Sequence, residues 1–435
     1  MTDPSAAALI AARPQFSTHA LDGLLLEGVP LLGVAADFGT PCYVYGAGTV
    51  RARCRRLRAA MPGVDLHYAV KALDHLAILT LIAAEGFGAD VVSGGELLRA
   101  LRAGFAPERI VFSGVGKTQA ELRLALDHGV GQINVESAEE FGEIADIADA
   151  AGQVARVAFR VNPDVDAGTH DKISTGRAGD KFGIAPAHIP ALYAEAAARR
   201  SVEPCGLAVH IGSQIFAMAP FEAAYARLAL LVRELRGAGM PVPAVDCGGG
   251  LGVGYRGEPE AMPEAWAAVM RHSLGPLDVR LSAEPGRWLV AGAGVLLASV
   301  IRTKRAGMVR PIVVLDAAMN DLARPAMYGA WHGIVPAGPA DLVRAPEPAD
   351  IVGPVCESSD VFARGRMLPP LAPGAILAIL DAGAYGAVMS STYNARPPAA
   401  QVLVDGGTAT LITPRGRPEA LFEEECVPRR QETIR

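Results

Sequence analysis

The sequence predicts an α/β protein: a parallel (β/α)8 barrel followed by a second, mainly antiparallel β domain. Two observations carry this. From residue 46 to about residue 300, eight short apolar or β-branched runs alternate with longer helical patterns, the rhythm of βα units closing on themselves. Beyond about Val300, helical patterns give way to short runs broken by Gly and Pro, which reads as antiparallel strands.

The eight runs are Leu66–Val70, Ala89–Val92, Ile110–Ser113, Gln132–Val135, Val157–Val161, Gly206–Ile211, Ala244–Cys247 and Val279–Ala283. Between them, stretches rich in Ala, Leu, Glu and Arg predict helices over 120–127, 138–150, 186–198, 221–236 and 263–272. The second domain is expected to hold strands at Pro311–Leu315, Ile351–Val355, Ala375–Ile379 and Ala400–Val404. Residues 1–45, with their own strand at Pro41–Tyr45, are expected to join residues 301–435 in it. The polar, Gly-bearing stretch from Asp164 to Lys181 is long for a barrel loop, and long loops usually carry function.

Composition narrows the partners. The chain has 435 residues, 51% hydrophobic, with a formal net charge of -6, so no broad excess of Lys and Arg exists to neutralise a nucleic acid. The six cysteines lack a CxxC pair or metal-ligand spacing, which indicates neither a metal site nor a disulfide framework and favours a reducing, cytoplasmic setting. No apolar run approaches the roughly 20 residues of a membrane span. Small molecules are the expected partners.

Barrel enzymes place their chemistry at the C-terminal ends of the strands. Strand one ends in Tyr68-Ala-Val-Lys71, strand two in Asp90 and Ser93, strand six in His210-Ile-Gly-Ser213, strand seven in Asp246-Cys followed by Gly248, Gly249 and Gly250, and strand eight in Glu284-Pro-Gly286-Arg287. A lysine beside apolar residues ordinarily snorkels to solvent. At a barrel mouth, though, a desolvated amine can be depressed in pKa and serve as a Schiff-base former. Three glycines in a row are common turns, but after strand seven they sit where barrels often cradle phosphate. Glu284 could be a buried partner of Arg287, or could keep a pyridine nitrogen protonated. His210 alone reads as structural; beside the others it could stack on a planar cofactor. Lysine, phosphate cradle, carboxylate and histidine together match the needs of pyridoxal phosphate.

These residues are recognisable. The segments Tyr68–Ala72, Asp90–Leu97, Thr169 to Gly183, His210–Gln214, Gly248–Gly252, Glu284–Arg287, Met319–Tyr328, Cys356–Asp360 and Ala384–Ser391 resemble the fold-type III pyridoxal-phosphate decarboxylases, and among them the branch acting on diaminopimelate. The resemblance covers nearly the whole chain. It implies that Lys71 carries pyridoxal 5'-phosphate as a Schiff base, that Glu284 contacts the ring nitrogen and that His210 stacks on the ring. Asp90 belongs to the same cofactor site. Ser213, the glycines 248–250 and the turn from Glu284 through Gly286 to Arg287 would hold the phosphate, with Tyr385 closing over cofactor and substrate. Arg287, Arg324 and Tyr328 would bind a distal carboxylate, Glu357 the distal ammonium, and Cys356 would donate a proton. In the family the residues matching Cys356 and Glu357 come from the partner subunit, which implies a homodimer with shared sites; Lys181 and Asp360 are candidates for a pair across it.

The implied reaction is decarboxylation of meso-2,6-diaminopimelate at its D-centre to give L-lysine, a step of lysine biosynthesis. Decarboxylation of D-lysine, D-ornithine or another basic amino acid is the alternative, and a non-catalytic cofactor-binding regulator is a third. One departure stands out: the family has Asn two residues after the lysine, where this chain has Leu73.

Overall fold

The computed structural model describes residues 3–168, 175–177, 179–305 and 307–428. Eight parallel strands close into a barrel: Val64–Ala69, Gly88–Val91, Ile110–Phe112, Gln132–Val135, Ala155–Arg160, Val202–Ala208, Ala244–Asp246 and Arg280–Ala283, the last pairing with the first. Each coincides with a predicted run to within a few residues. The strands read as continuous apolar stretches because both faces are covered, inside by the packed barrel and outside by helices.

Several of the barrel helices start where the sequence offers a cap. Ser93 accepts from Glu96 N, Thr118 and Glu121 form a reciprocal capping box, and Ser137 accepts from Glu140 N. The helix Ala138–Ala151 stops at Gly152, which takes the left-handed conformation at φ 63° that glycine adopts without strain. The helix expected over 186–198 divides into a 3-10 turn, Pro186–His188, and an α-helix, Ile189–Ala198.

The second sheet has nine strands, most of them antiparallel. Its main path runs Val361–Leu368, Glu347–Val352, Ile312–Leu315, Gly294–Lys304, Cys42–Gly46, Ala400–Asp405 and Thr408–Thr413, and Ile376–Ile379 joins Gly294–Lys304 to Ile334–Pro336. The early strand Cys42–Gly46 lies at the centre, antiparallel to Gly294–Lys304 and parallel to Ala400–Asp405, with all five residues buried. Residue 300, where the composition changes, falls within the strand Gly294–Lys304.

The strand expected at Ile351–Val355 instead spans Glu347–Val352. Beyond it Asp360 takes over the backbone, its carboxylate accepting from Val355 N at 2.8 Å and Met319 N at 2.7 Å while Gly353 N donates to its carbonyl. Among the described residues no helix is long and apolar enough to cross a membrane.

Candidate active site

A cavity of about 360 Å³ opens at the C-terminal mouth of the barrel and brings together Lys71, His210, Ser213, Glu284, Arg287, Arg324, Tyr328 and Tyr385. The barrel supplies the first five. Arg324, Tyr328 and Tyr385 come from connections of the second sheet. A smaller pocket adjoins it, lined by Gly250, Gly286, Trp288 and several of the same side chains.

Lys71 lies in a 3-10 turn, Val70–Ala72, directly after barrel strand one. Two hydrogen bonds hold that turn: Tyr68 OH donates to Leu73 O at 2.9 Å, and Tyr385 N donates to Ala72 O at 2.8 Å. Leu73 is buried in the core, so the turn is supported through its carbonyl and by packing rather than by a polar side chain. His75 caps the next helix through Ala77 N at 3.1 Å. The Lys71 Nζ stands 3.4 Å from Asp90 Oδ2, and here the structure corrects an expectation. Burial alone would lower the amine, but Asp90, with Tyr385 and Glu284 behind it, outweighs burial and raises Lys71 above the usual lysine range. The free amine is therefore held charged and in place.

Opposite the lysine, Glu284 is pushed well above the carboxylate range by burial, with Asp246 and Asp90 adding to the effect. Glu284 and Asp246 share a side-chain hydrogen bond, and the described residues offer Glu284 Oε1, Asp90 Oδ1 and Asp246 Oδ2 no further donor. Such unsatisfied acceptors are costly in a folded interior.

His210 accepts from Gly249 N at Nδ1, at 3.2 Å, so its own proton sits on Nε2. Burial, with Lys71 and Arg160 nearby, holds it well below the usual histidine range, neutral and ready to stack. Gly248 N donates to Asp246 Oδ1 at 2.9 Å. The N–H of Gly248 is thus spent on Asp246 and that of Gly249 on His210, while Gly250 and Gly286 line the smaller pocket. A Cβ on Gly248 would meet Val209 O at 2.1 Å, and one on Gly249 would meet Glu284 O at 2.2 Å, so the turn demands glycine.

Arg287 spans Ser213 Oγ, at 3.2 Å from Nε and 3.0 Å from Nη2, and Tyr255 OH at 3.1 Å; its guanidinium lies 4.6 Å from the centre of the Tyr385 ring. Tyr385 holds φ at 55°, a left-handed backbone uncommon for an aromatic residue and typical of functional sites. Arg324 is buried, 4.5 Å over the Tyr255 ring, and donates to His332 Nε2 at 2.8 Å.

Cys356 and Glu357 do not join this cluster. Both are exposed; Cys356 N donates to Asn394 Oδ1 and Tyr393 OH donates to Glu357 Oε1 at 2.7 Å. Asp360 is buried as a backbone acceptor, whereas Lys181 is exposed with its Nζ 5.2 Å from the Phe182 ring centre. Of the resembling loop, Thr169 and His170 lie outside the described residues, and Thr175 lines the cavity.

Sequence reasoning passed over Arg160, Tyr255 and His332. Arg160 ends barrel strand five, bonds Glu136 at 2.6 Å and lines the cavity, so the strand-end rule could have found it. Tyr255 and His332 lie in irregular segments and carry no local signal.

The donor set fits pyridoxal phosphate. A ring N–H facing Glu284 would supply a missing donor and favour its carboxylate, the lysine sits within the same cavity, and the pocket at Gly250 and Gly286 offers backbone close to Ser213 and Arg287.

The comparisons agree with that geometry. Residues 47–291 match the family described as pyridoxal-dependent decarboxylase, pyridoxal binding domain. A diaminopimelate decarboxylase of Zymomonas mobilis is 47% identical over 409 residues, covering 92% of this chain and 96% of that protein. Two crystal structures of diaminopimelate decarboxylases complexed with L-lysine superpose closely. The Helicobacter pylori protein has a TM-score of 0.87 at 37% identity over 90% of this chain and 98% of its own. The M. jannaschii protein has a TM-score of 0.90 at 35% identity over 96% and 99%.

Proposed function

Because the chain belongs to the diaminopimelate decarboxylases within the pyridoxal-dependent decarboxylase family, we propose that it removes the carboxylate at the D-centre of meso-2,6-diaminopimelate, giving L-lysine and carbon dioxide. The observation that carries the reading is the presence of two buried arginines, Arg287 and Arg324, in one cavity with Lys71. A substrate with a second, remote carboxylate gives both guanidiniums a planar, charge-assisted partner. A monocarboxylic basic amino acid would leave two buried cations facing an aliphatic chain and an ammonium.

Pyridoxal 5'-phosphate is the cofactor of this reading, and when bound it supplies an electron sink for the charge left as carbon dioxide departs. Lys71 would hold its aldehyde carbon, His210 would cover the ring, and Glu284 would keep a proton on the ring nitrogen. Ser213, Gly250, Gly286 and Arg287 would surround the phosphate. Tyr385 and the arginines exclude water from the cavity and orient the remote end of the substrate, so that the bond to be broken faces the sink.

The proton that replaces the carboxylate comes from Cys356, and Glu357 pairs with the remote ammonium. Both are exposed in this chain and away from Lys71, so a second copy supplies them and the working unit is a homodimer with shared sites. On this reading the barrel holds the cofactor, while the second sheet supplies substrate contacts and the dimer surface. We place the enzyme in the cytoplasm, where its six unpaired cysteines stay reduced.

Carbon dioxide release, measured with the cofactor-loaded enzyme across meso-diaminopimelate, D-lysine, D-ornithine, L-lysine, L-ornithine and L-arginine, tests the assignment. Turnover of meso-diaminopimelate alone is expected. A higher kcat/KM for any monocarboxylate would remove it.

A further inference from the structure

Arg324 and Arg287 are two cations buried side by side, and the partners the structure gives them are neutral. For Arg287 these are Ser213, the Tyr255 hydroxyl and the Tyr385 ring; for Arg324, His332 and the Tyr255 ring. Building on the reading above, we infer that His332 and Tyr255 are positioning residues that aim both guanidiniums at the remote carboxylate of the substrate and so set the preference for dicarboxylic over monocarboxylic ligands.

The chain of contacts starts at Leu380, just past the strand Ile376–Ile379. Its carbonyl can only accept, and it lies 2.8 Å from His332 Nδ1, so that nitrogen carries the ring proton. Nε2 is left with a lone pair, and Arg324 Nη1 donates to it at 2.8 Å. The tautomer is fixed from behind by a backbone group, and the direction of the guanidinium is fixed by the tautomer. The histidine is itself anchored: it is 1% exposed, and its carbonyl accepts from Arg366 Nη1 at 2.7 Å. Burial and the neighbouring arginines, Arg324 first, keep the ring neutral.

Tyr255 links the two cations. Its ring meets His332 edge-on, with centroids 5.3 Å apart at 73°, and presents its face to Arg324, while its hydroxyl accepts from Arg287 Nη1 at 3.1 Å. One rigid side chain therefore touches both guanidiniums. The choice of a neutral acceptor matters. A carboxylate in place of His332 would also orient Arg324, but it would neutralise the charge and repel the substrate carboxylate. An imidazole lone pair directs the arginine and leaves its charge for the ligand.

The test uses two ligands that differ at the remote end. L-Lysine, the proposed product, retains the remote carboxylate; cadaverine lacks it. In the cofactor-loaded enzyme, His332→Phe removes the acceptor while keeping a ring, and should raise KM for meso-diaminopimelate and the L-lysine inhibition constant together. The expected rise is roughly 10- to 100-fold, the range for losing one hydrogen bond to a charged group. The kcat should stay within about 3-fold and the cadaverine constant should not move. His332→Gln, whose amide oxygen can accept from Arg324, should recover most of the loss. Tyr255→Phe keeps the ring and loses only the hydroxyl, so it covers the case in which His332→Phe does not fold, and it should weaken L-lysine selectively by roughly 3- to 10-fold. Equal weakening of cadaverine and L-lysine, a fall in kcat at constant KM, or no change would overturn the inference. The functional reading fails separately, if the unsubstituted enzyme prefers monocarboxylates.

Discussion

The barrel mouth and the Cys356–Glu357 loop differ in how much of their job one chain completes. At the mouth, Lys71, His210, Ser213, Glu284 and Arg287, the groups proposed to hold the cofactor, line one cavity, and buried acceptors such as Glu284 Oε1 are left short of donors among the described residues. At the loop, the thiol and carboxylate are exposed; the Cys356 backbone N–H donates to Asn394 and the Tyr393 hydroxyl donates to Glu357. On the reading proposed above, the contrast makes cofactor capture a property of the fold of one chain, and proton delivery and recognition of the remote ammonium properties of the assembly.

The sharpest way to break this comparison is to separate the two regions onto different chains. Lys71→Ala and Cys356→Ala proteins should each lose at least about 100-fold in activity, the lower range for loss of a positioned acid or base. Mixed under conditions that exchange subunits, they should regain about a quarter of the wild-type sites, since half the dimers are mixed and each mixed dimer holds one intact site. No recovery despite exchange, verified by mass, would remove the shared site.

A second measurement sets the two regions side by side. Gly249→Ala should cost about 1–3 kcal/mol in denaturant unfolding and weaken cofactor retention, because its Cβ would meet a backbone carbonyl at 2.2 Å. Cys356→Ser, at an exposed position, should move stability by no more than about 0.5 kcal/mol and leave cofactor affinity intact while lowering kcat. Comparable loss of cofactor in both would erase the distinction.

The smallest effect concerns Glu96, whose carboxylate accepts from Val92 N at 2.8 Å beside the cofactor site. Burial raises it from 4.5 to about 7. Between those values the folded state binds more protons than the unfolded one, so stability falls as pH rises through this window, by at most about 3 kcal/mol, and levels off above it. Glu96→Gln keeps an acceptor for Val92 and should flatten that fall in thermal melts of the cofactor-free protein at pH 5 and pH 8. Asp321, raised to about 6 by burial, and Glu284 contribute slope of the same sign, while His210 and His332, lowered by burial, contribute the opposite sign, so the readout is the difference in slope between Glu96→Gln and the unsubstituted protein. An unchanged slope would refute the burial argument for Glu96.

Much of this was legible in the sequence because barrel geometry turns position into function. Once eight runs are counted, Lys71, His210 and Glu284 each fall just past a strand and must face one mouth. The same rule reaches Arg160. What it could not reach were groups whose role depends on distant chain segments meeting. Tyr255 and His332 sit outside regular elements, and only the closed structure shows them joined. The second sheet was harder to read for a different reason: edge strands such as Val361–Leu368 and Thr408–Thr413 pair only with the strand just before them, Glu347–Val352 and Ala400–Asp405, and their alternation is weak where a face is half exposed. Leu73 looked like a missing polar support; its carbonyl, which every residue has, provides the support instead.

The central position of Cys42–Gly46 bears on how the chain is made. This apolar strand leaves the ribosome early, yet one of its neighbours is Gly294–Lys304 and the other is Ala400–Asp405. At about 5–20 residues per second, it waits roughly 20–70 s for the later partner. Until Gly294–Lys304 emerges both edges of this wholly buried strand are open, and one edge stays open until Ala400–Asp405 arrives, a template for pairing with other nascent chains. The order in which this sheet is threaded therefore predicts that slower synthesis raises the yield of folded chain.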